Sequence, residues 1–198
     1  MNAPPAERIC VVKIGGGLSA IPGALNLVCA TVGEAARGQR LLIVPGGGPF
    51  ADGVREFQTR MGVSEEAAHW MALLAMDQYA YALAERIGGC VLLEEPGLIP
   101  AALRAGHPVV LAPSRWMRHA DVLPHGWDVT SDSIAAFVAG ALDARGLILI
   151  KPSAQRAGVD RYFESALPAN MPWRVVGADQ IDELRAVLNG LIAGDGRE

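Results

Sequence analysis

Val11-Val12-Lys13-Ile14-Gly15-Gly16-Gly17 is the stretch from which the fold is read. Residues 9–14 are apolar and rich in β-branched side chains except for one lysine, and glycines follow at once. A continuous apolar run that ends in such a turn is the pattern of a strand buried in a parallel sheet. Glycines let main-chain N–H groups close on an anion, and a helix starting after them adds the positive end of its dipole. The turn is therefore shaped for phosphate, with Lys13 delivered beside it. A tight strand-to-helix turn without a ligand has the same local sequence, and a second turn of the same kind shifts the balance. Residues 40–44 form that second apolar run and pass into Pro45-Gly46-Gly47-Gly48-Pro49.

With 198 residues, 51% of them hydrophobic, the chain can build one substantial core and is read as a single domain over residues 1–198. A formal charge of -4 with mixed signs leaves no basic stripe for a nucleic-acid backbone. Cys10, Cys29 and Cys90 are widely spaced, odd in number and set in apolar surroundings, which suits reduced thiols and a cytoplasmic protein. Residues 1–7 are Pro/Ala-rich without a basic region and apolar core, and no apolar run is long enough to span a bilayer. Neither secretion nor membrane insertion is expected.

Between the glycine turns, residues 18–37 read as a helix with Ser19 as N-cap. After the second turn, Phe50, Val54, Phe57 and Met61 recur at helical spacing and Gly62 closes the element. Ser64 starts the longest helix, to about Ile87, with Glu65 and Glu66 where the dipole favours them. Its apolar stripes cover most of the circumference, so His69 and Asp77 need partners, and an internal hydrogen bond is expected for both. Residues 90–93 and 108–111 read as strands joined through a short helix at 100–105. Residues 112–127 read as a long polar-aromatic loop at a strand's carboxyl end, where open α/β sheets bind ligands. His119, Asp121 and His125 in it match no specific metal spacing, and ordinary loop polarity is the better reading. Thr130-Ser131-Asp132-Ser133 caps a helix to about Arg145, residues 147–150 form another buried strand, and Lys151 leaves its end as Lys13 does. Residues 153–172 read as loop, 173–176 as an edge strand, and Asp179 caps a last helix with Ile181, Leu184, Leu188 and Leu191 inward.

The strand, glycine turn, helix order repeated twice indicates a parallel α/β sheet. The phrases Val12-Lys13-Ile14-Gly15-Gly16-Gly17, Val44-Pro45-Gly46-Gly47-Gly48-Pro49-Phe50-Ala51-Asp52, Thr130-Ser131-Asp132-Ser133-Ile134-Ala135-Ala136 and the strand ending in Lys151 resemble, in that order, the amino acid kinase family. The resemblance implies an α/β/α sandwich of three layers with a mainly parallel central sheet, the carbamate kinase-like fold, and an ATP-dependent small-molecule kinase. Carried over residue by residue, it makes Lys13 and Lys151 the pair that steadies the transferred phosphoryl group, with Asp132 fixing them. It gives Gly15, Gly16 and Gly17 to the nucleotide phosphates. It gives Gly46, Gly47, Gly48, Asp52, Arg55, Trp127, Asp128 and Thr130 to the acceptor. ATP and Mg2+ are implied, the metal held mainly by nucleotide oxygens and water, and so is a homo-oligomer. His69-Trp70-Met71-Ala72, Ala75-Met76-Asp77-Gln78-Tyr79 and Trp127-Asp128-Val129-Thr130-Ser131-Asp132 resemble a small branch of the family that acts on an (aminomethyl)furanmethyl phosphate in making a methanofuran-like one-carbon carrier. The chain departs from the family after Lys151, where Pro152-Ser153-Ala154-Gln155-Arg156-Ala157-Gly158 replaces an Asp-containing segment and Val159-Asp160-Arg161-Tyr162-Phe163 follows as a remnant.

Gly15-Gly16-Gly17-Leu18-Ser19-Ala20 also fits a degenerate dinucleotide pattern. That reading fails because the second strand should end in an acidic residue for the ribose, and Val44 is followed by Pro45 and glycines. Neither turn continues into Gly-Lys-Ser/Thr, which removes a Walker-type NTPase. A non-catalytic nucleotide- or oxyanion-binding or storage protein on the same fold, or a kinase of uridylate kinase type, remains as the alternative.

Overall fold

The computed structural model describes residues 8–155 and 158–190. Its strands are β1 (Cys10–Ile14), β2 (Leu41–Pro45), β3 (Val91–Leu93), β4 (Val109–Leu111), β5 (Gly146–Lys151) and β6 (Trp173–Gly177). They form one sheet in the order β3-β4-β2-β1-β5-β6, and every neighbouring pair is parallel. β1 lies between β2 and β5, so the lysine-bearing strand is central and fully buried, as its apolar run requires. β6 is an edge strand, as its sequence suggests.

Alternation along the strands divides the interior in two. Cys10, Val12, Ile14, Leu41, Ile43, Ile148 and Ile150 belong to one core, while Val11, Leu42, Val44, Leu147 and Leu149 belong to the other. Helices α1 (Ala24–Ala35) and α8 (Ile181–Gly190) cover the first face with Val28, Val32, Leu184 and Leu188. Helices α4 (Ile99–Arg104) and α6 (Ser131–Ala141) cover the second with Ile99, Leu103, Ile134 and Val138. The result is the expected three-layer sandwich. α2 (Gly48–Met61) packs on α3 (Glu65–Arg86) through the small residues Ala51, Val54, Ala68 and Ala75. The 22 residues of α3 span about 33 Å, giving Leu73 and Met76 to one core and Tyr79 and Leu83 to the other.

Several elements differ from the sequence reading. The first glycine run forms a 3-10 turn over Gly16–Ala20, and α1 begins only after Gly23, which is left-handed at φ 77°. Ser19 is no cap; its hydroxyl donates to the Gly16 carbonyl at 2.8 Å. Of the apolar series on α2, Val54 is buried whereas Phe50, Phe57 and Met61 are exposed, because α2 meets α3 along a narrow face of small side chains. Residues 112–127 are not one loop: α5 (Ser114–Ala120) opens them, its first N–H bound at 3.0 Å by the Asp77 carboxylate, which also accepts from the Ser114 hydroxyl. A short helix α7 (Phe163–Ala166) interrupts the expected loop at 153–172, anchored by the fully buried Phe163. α6 stops at Ala141 rather than reaching Arg145. Leu191, expected on the inner face of α8, lies outside the described residues.

Candidate active site

Strand parity decides where the two lysines point. Lys13 follows Val11 on β1 with the period of two, and Lys151 follows Leu147 and Leu149 on β5, so both leave the sheet on the α6 side. β1 and β5 are hydrogen-bonded neighbours with Ile14 opposite Ile150, which brings the strand ends together. Asp132 arrives from the opposite direction, in the first turn of α6, where the helix dipole favours a carboxylate. The Lys13 ammonium lies 2.8 Å from Oδ1 of Asp132 and the Lys151 ammonium 2.7 Å from Oδ2. Lys151 also donates to the Gly158 carbonyl.

All three groups are buried, with 6%, 4% and 8% of Lys13, Asp132 and Lys151 exposed. Burying a charge is costly unless it is paired, and here one carboxylate bridges two cations. Burial pushes the Lys13 ammonium below the ordinary lysine value, and the neighbouring Asp132 opposes that shift. Burial alone would raise the Asp132 carboxyl; the two ammoniums outweigh it and hold its pKa below the usual carboxylate value.

The two glycine turns touch each other beside this cluster. A Cβ on Gly16 would sit 2.2 Å from the Gly48 nitrogen, and one on Gly46 would sit 2.4 Å from the Gly16 nitrogen. Neither position tolerates a side chain against backbone. Hydrogen bonds from Gly15 N–H to the Ile150 carbonyl (2.9 Å) and from Gly46 N–H to the Ile14 carbonyl (2.8 Å) fix both turns to neighbouring strands. Gly48 takes φ 56° at the start of α2, with the buried Tyr79 ring where its Cβ would be.

Next to the turns opens a cavity of about 240 Å³. Gly16, Gly17, Gly47 and Gly48 form one side of it, and Asp52, Arg55, Trp127 and Thr130 form another. Arg55 stacks 4.1 Å over the Trp127 ring and pairs with Asp52 at 3.3 Å, while the Trp127 indole N–H donates to Gln58 at 2.6 Å. Gly15 and Gly46 lie at the turn contacts, outside the lining. Asp128 also lies outside it, its carboxylate 3.5 Å from Arg161.

Two residues with no assigned role in the sequence reading belong to this region. His69 lines the cavity, hydrogen-bonds the Gly126 backbone and stacks on His125 at 4.8 Å, and His125 in turn meets Asp121 at 2.8 Å. Burial, then the adjacent His125, depresses the His69 pKa below the ordinary histidine value. Asp160 accepts from Thr130 N–H (2.9 Å), Thr130 Oγ1 (2.7 Å), Ser133 N–H (3.0 Å) and the Ser133 hydroxyl. The only signal for His69 was a polar residue on a helix packed nearly all round, and for Asp160 its place in a remnant motif. Among the described residues, no three His, Cys, Asp or Glu side chains gather as a metal-binding group. No helix among them is long and apolar enough to cross a membrane.

Over 178 residues, covering 89% of this chain and 78% of the relative, the sequence is 28% identical to (5-(aminomethyl)furan-3-yl)methyl phosphate kinase of Methanocaldococcus jannaschii. UMP kinase from Bacillus anthracis superposes with a TM-score of 0.70 at 13% identity, covering 92% of each chain. UMP kinase from Ureaplasma parvum gives 0.68 at 15% identity, over 91% of this chain and 94% of that one. Uridylate kinase from Archaeoglobus fulgidus gives 0.66 at 14% identity, over 92% and 96%. At such identities the structural matches speak to the fold alone. The profile of the amino acid kinase family matches residues 8–153. Since both glycine turns, Asp132 and both lysines fall within that matched segment, the chain belongs to the amino acid kinase family and is a phosphotransferase.

Proposed function

We propose that the chain transfers the γ-phosphoryl group of ATP to the phosphate of a small acceptor of the (5-(aminomethyl)furan-3-yl)methyl phosphate class. The observation that carries this reading is the bridge from Lys13 through Asp132 to Lys151, set beside two touching glycine turns and a cavity. The identity to a kinase named for that acceptor supports the choice of class. An acceptor phosphate oxygen attacks the γ-phosphorus, the bond to the bridging oxygen breaks, and ADP leaves with the electron pair. The product is a diphosphate. The attacking oxygen is already ionised, so no general base is needed. The barrier falls because cations sit where equatorial and bridging oxygens carry charge. Lys13 and Lys151 supply those cations, and Asp132 keeps two mutually repelling ammoniums at one place. Gly16 and Gly17 serve the nucleotide phosphates, Gly15 holding their turn through its bond to the Ile150 carbonyl, while the start of α2 and Arg55 attract the acceptor phosphate. Mg2+ accompanying ATP would be held by phosphate oxygens and water and would neutralise charge there, Asp132 being committed to the two lysines.

A coupled ADP-release assay over a panel of phosphorylated acceptors, including aminomethylfuran and nucleoside monophosphates, tests this reading. Turnover with the furan phosphate, reduced by about a thousandfold or more in Lys13→Ala of unchanged circular dichroism, is the expected result. ATP binding without turnover of any acceptor would instead favour a binding protein.

A further inference from the structure

The carboxylate of Asp160 stands outside α6 yet does the work of a cap for it. Thr130 occupies the N-cap position, but its side chain makes no capping bond to the helix; its hydroxyl donates to Asp160 instead. Ser133, three residues on, gives both its N–H and its hydroxyl to the same carboxylate. In an ordinary cap the N-cap side chain accepts that N–H. Here a remote residue takes it, and Asp132 lies between the two anchored positions. Two residues earlier, the Gly158 carbonyl accepts from the Lys151 ammonium. On the other side, the Tyr162 N–H donates to the Asp128 carbonyl at 3.1 Å. The segment from Gly158 to Tyr162 therefore joins the end of β5 to the start of α6.

We propose that Asp160 is a positioning residue that sets the first turn of α6 so that Asp132 meets Lys13 and Lys151 together. Asp160 acts through Thr130 and Ser133 and needs no contact with the reacting atoms. The assignment rests on the phosphotransferase reading of the lysine bridge. A displacement on the order of 1 Å at a catalytic centre costs up to about 100-fold in rate, which sets the size of the expected effect.

The test compares Asp160→Ala, Asp160→Asn and Ser133→Ala in the full chain, each corrected for folded fraction by thermal melting. Asp160→Ala removes all four acceptor contacts and is expected to lower kcat by about 10- to 100-fold while both KM values stay within about threefold. Asparagine keeps an oxygen for Thr130 and Ser133, so Asp160→Asn is expected to recover most of the lost kcat. Ser133→Ala, which removes one hydroxyl, is expected to lose a few-fold and serves if Asp160→Ala does not fold. Crystals of the variants give a readout that needs no acceptor: in Asp160→Ala, Asp132 should no longer touch both ammoniums. An unchanged Asp132 bridge in Asp160→Ala overturns the assignment even if no substrate is known. Equal losses in the alanine and asparagine variants, or a loss confined to KM, overturn it as well. Wild-type protein that turns over no acceptor would sink the kinase reading but leave the crystallographic comparison standing.

Discussion

Replacing Asp132 with asparagine keeps the side chain's shape and removes the negative charge that Lys13 and Lys151 share at 2.8 and 2.7 Å. Both lysines are at least nine-tenths buried, so water cannot take over. Breaking a buried pair by deleting one partner costs about 3–5 kcal/mol, a large part of the roughly 5–15 kcal/mol that holds a domain folded. With a urea slope of about 2 kcal/mol/M, the unfolding midpoint should fall by about 1.5–2.5 M. The same substitution leaves two ammoniums without their counter-ion, so a non-hydrolysable ATP analogue should bind at least as tightly as to the wild type. At about 100 times its Kd the analogue should return roughly 2.7 kcal/mol of stability. Turnover should nevertheless collapse, because the lysines are no longer held together. Urea unfolding with and without the analogue, calorimetric titration and initial-rate ADP release measure the three quantities. A midpoint equal to the wild type, or analogue binding weakened tenfold, would refute the bridge as the source of both effects.

Two further outcomes follow from the same cluster and its neighbouring turns. Burial lowers the Lys13 pKa below its ordinary 10.5, so the alkaline limb of the rate profile should begin below that value. Between the two pKa values the unfolded chain binds more protons at Lys13 than the folded one, so this group's contribution to stability should rise with pH as activity falls. The difference in unfolding free energy between wild type and Lys13→Met, followed across that range, checks the sign; a rate limb at or above 10.5 would contradict it. Gly16→Ala places a methyl 2.2 Å from the Gly48 nitrogen, and since backbone must move, a loss near the top of the usual 1–3 kcal/mol for overpacking is expected. Thermal unfolding measures it, and an unshifted melting temperature would show that the turns are not locked against each other.

The parts of the site legible in the sequence were those written in local pattern. Lys151 ends a continuous apolar run and Lys13 stands one residue before the end of another, and a strand buried on both faces tolerates an ammonium only near its end, so both lysines stand out in the sequence. Asp132 was visible as an acid in a capping phrase. What sequence could not show was contact between remote segments. Asp160 sits 28 residues beyond Asp132 and reaches α6 only because the chain turns back after β5. His69 gave no sign that His125 and the Gly126 backbone would hold its ring at the cavity wall. Helix α5 has only Trp116, Met117 and Ala120 on its inner face, too short a run for helical periodicity to stand out, and its start depends on the Asp77 carboxylate from another helix.

The placement of β1 at the centre of the sheet has a consequence for the order of assembly. Its partner on one side is 31 residues away, Cys10 facing Leu41, but on the other side Cys10 faces Gly146, 136 residues later. At about 5–20 residues per second on the ribosome, β1 waits roughly 7–27 s for that neighbour to be made. Until then a buried-type strand carries an uncovered edge and Lys13 has no carboxylate beside it. An emerging chain is thus exposed to misassociation until β5 is made, and the two lysines meet across Asp132 only once Lys151 has followed it.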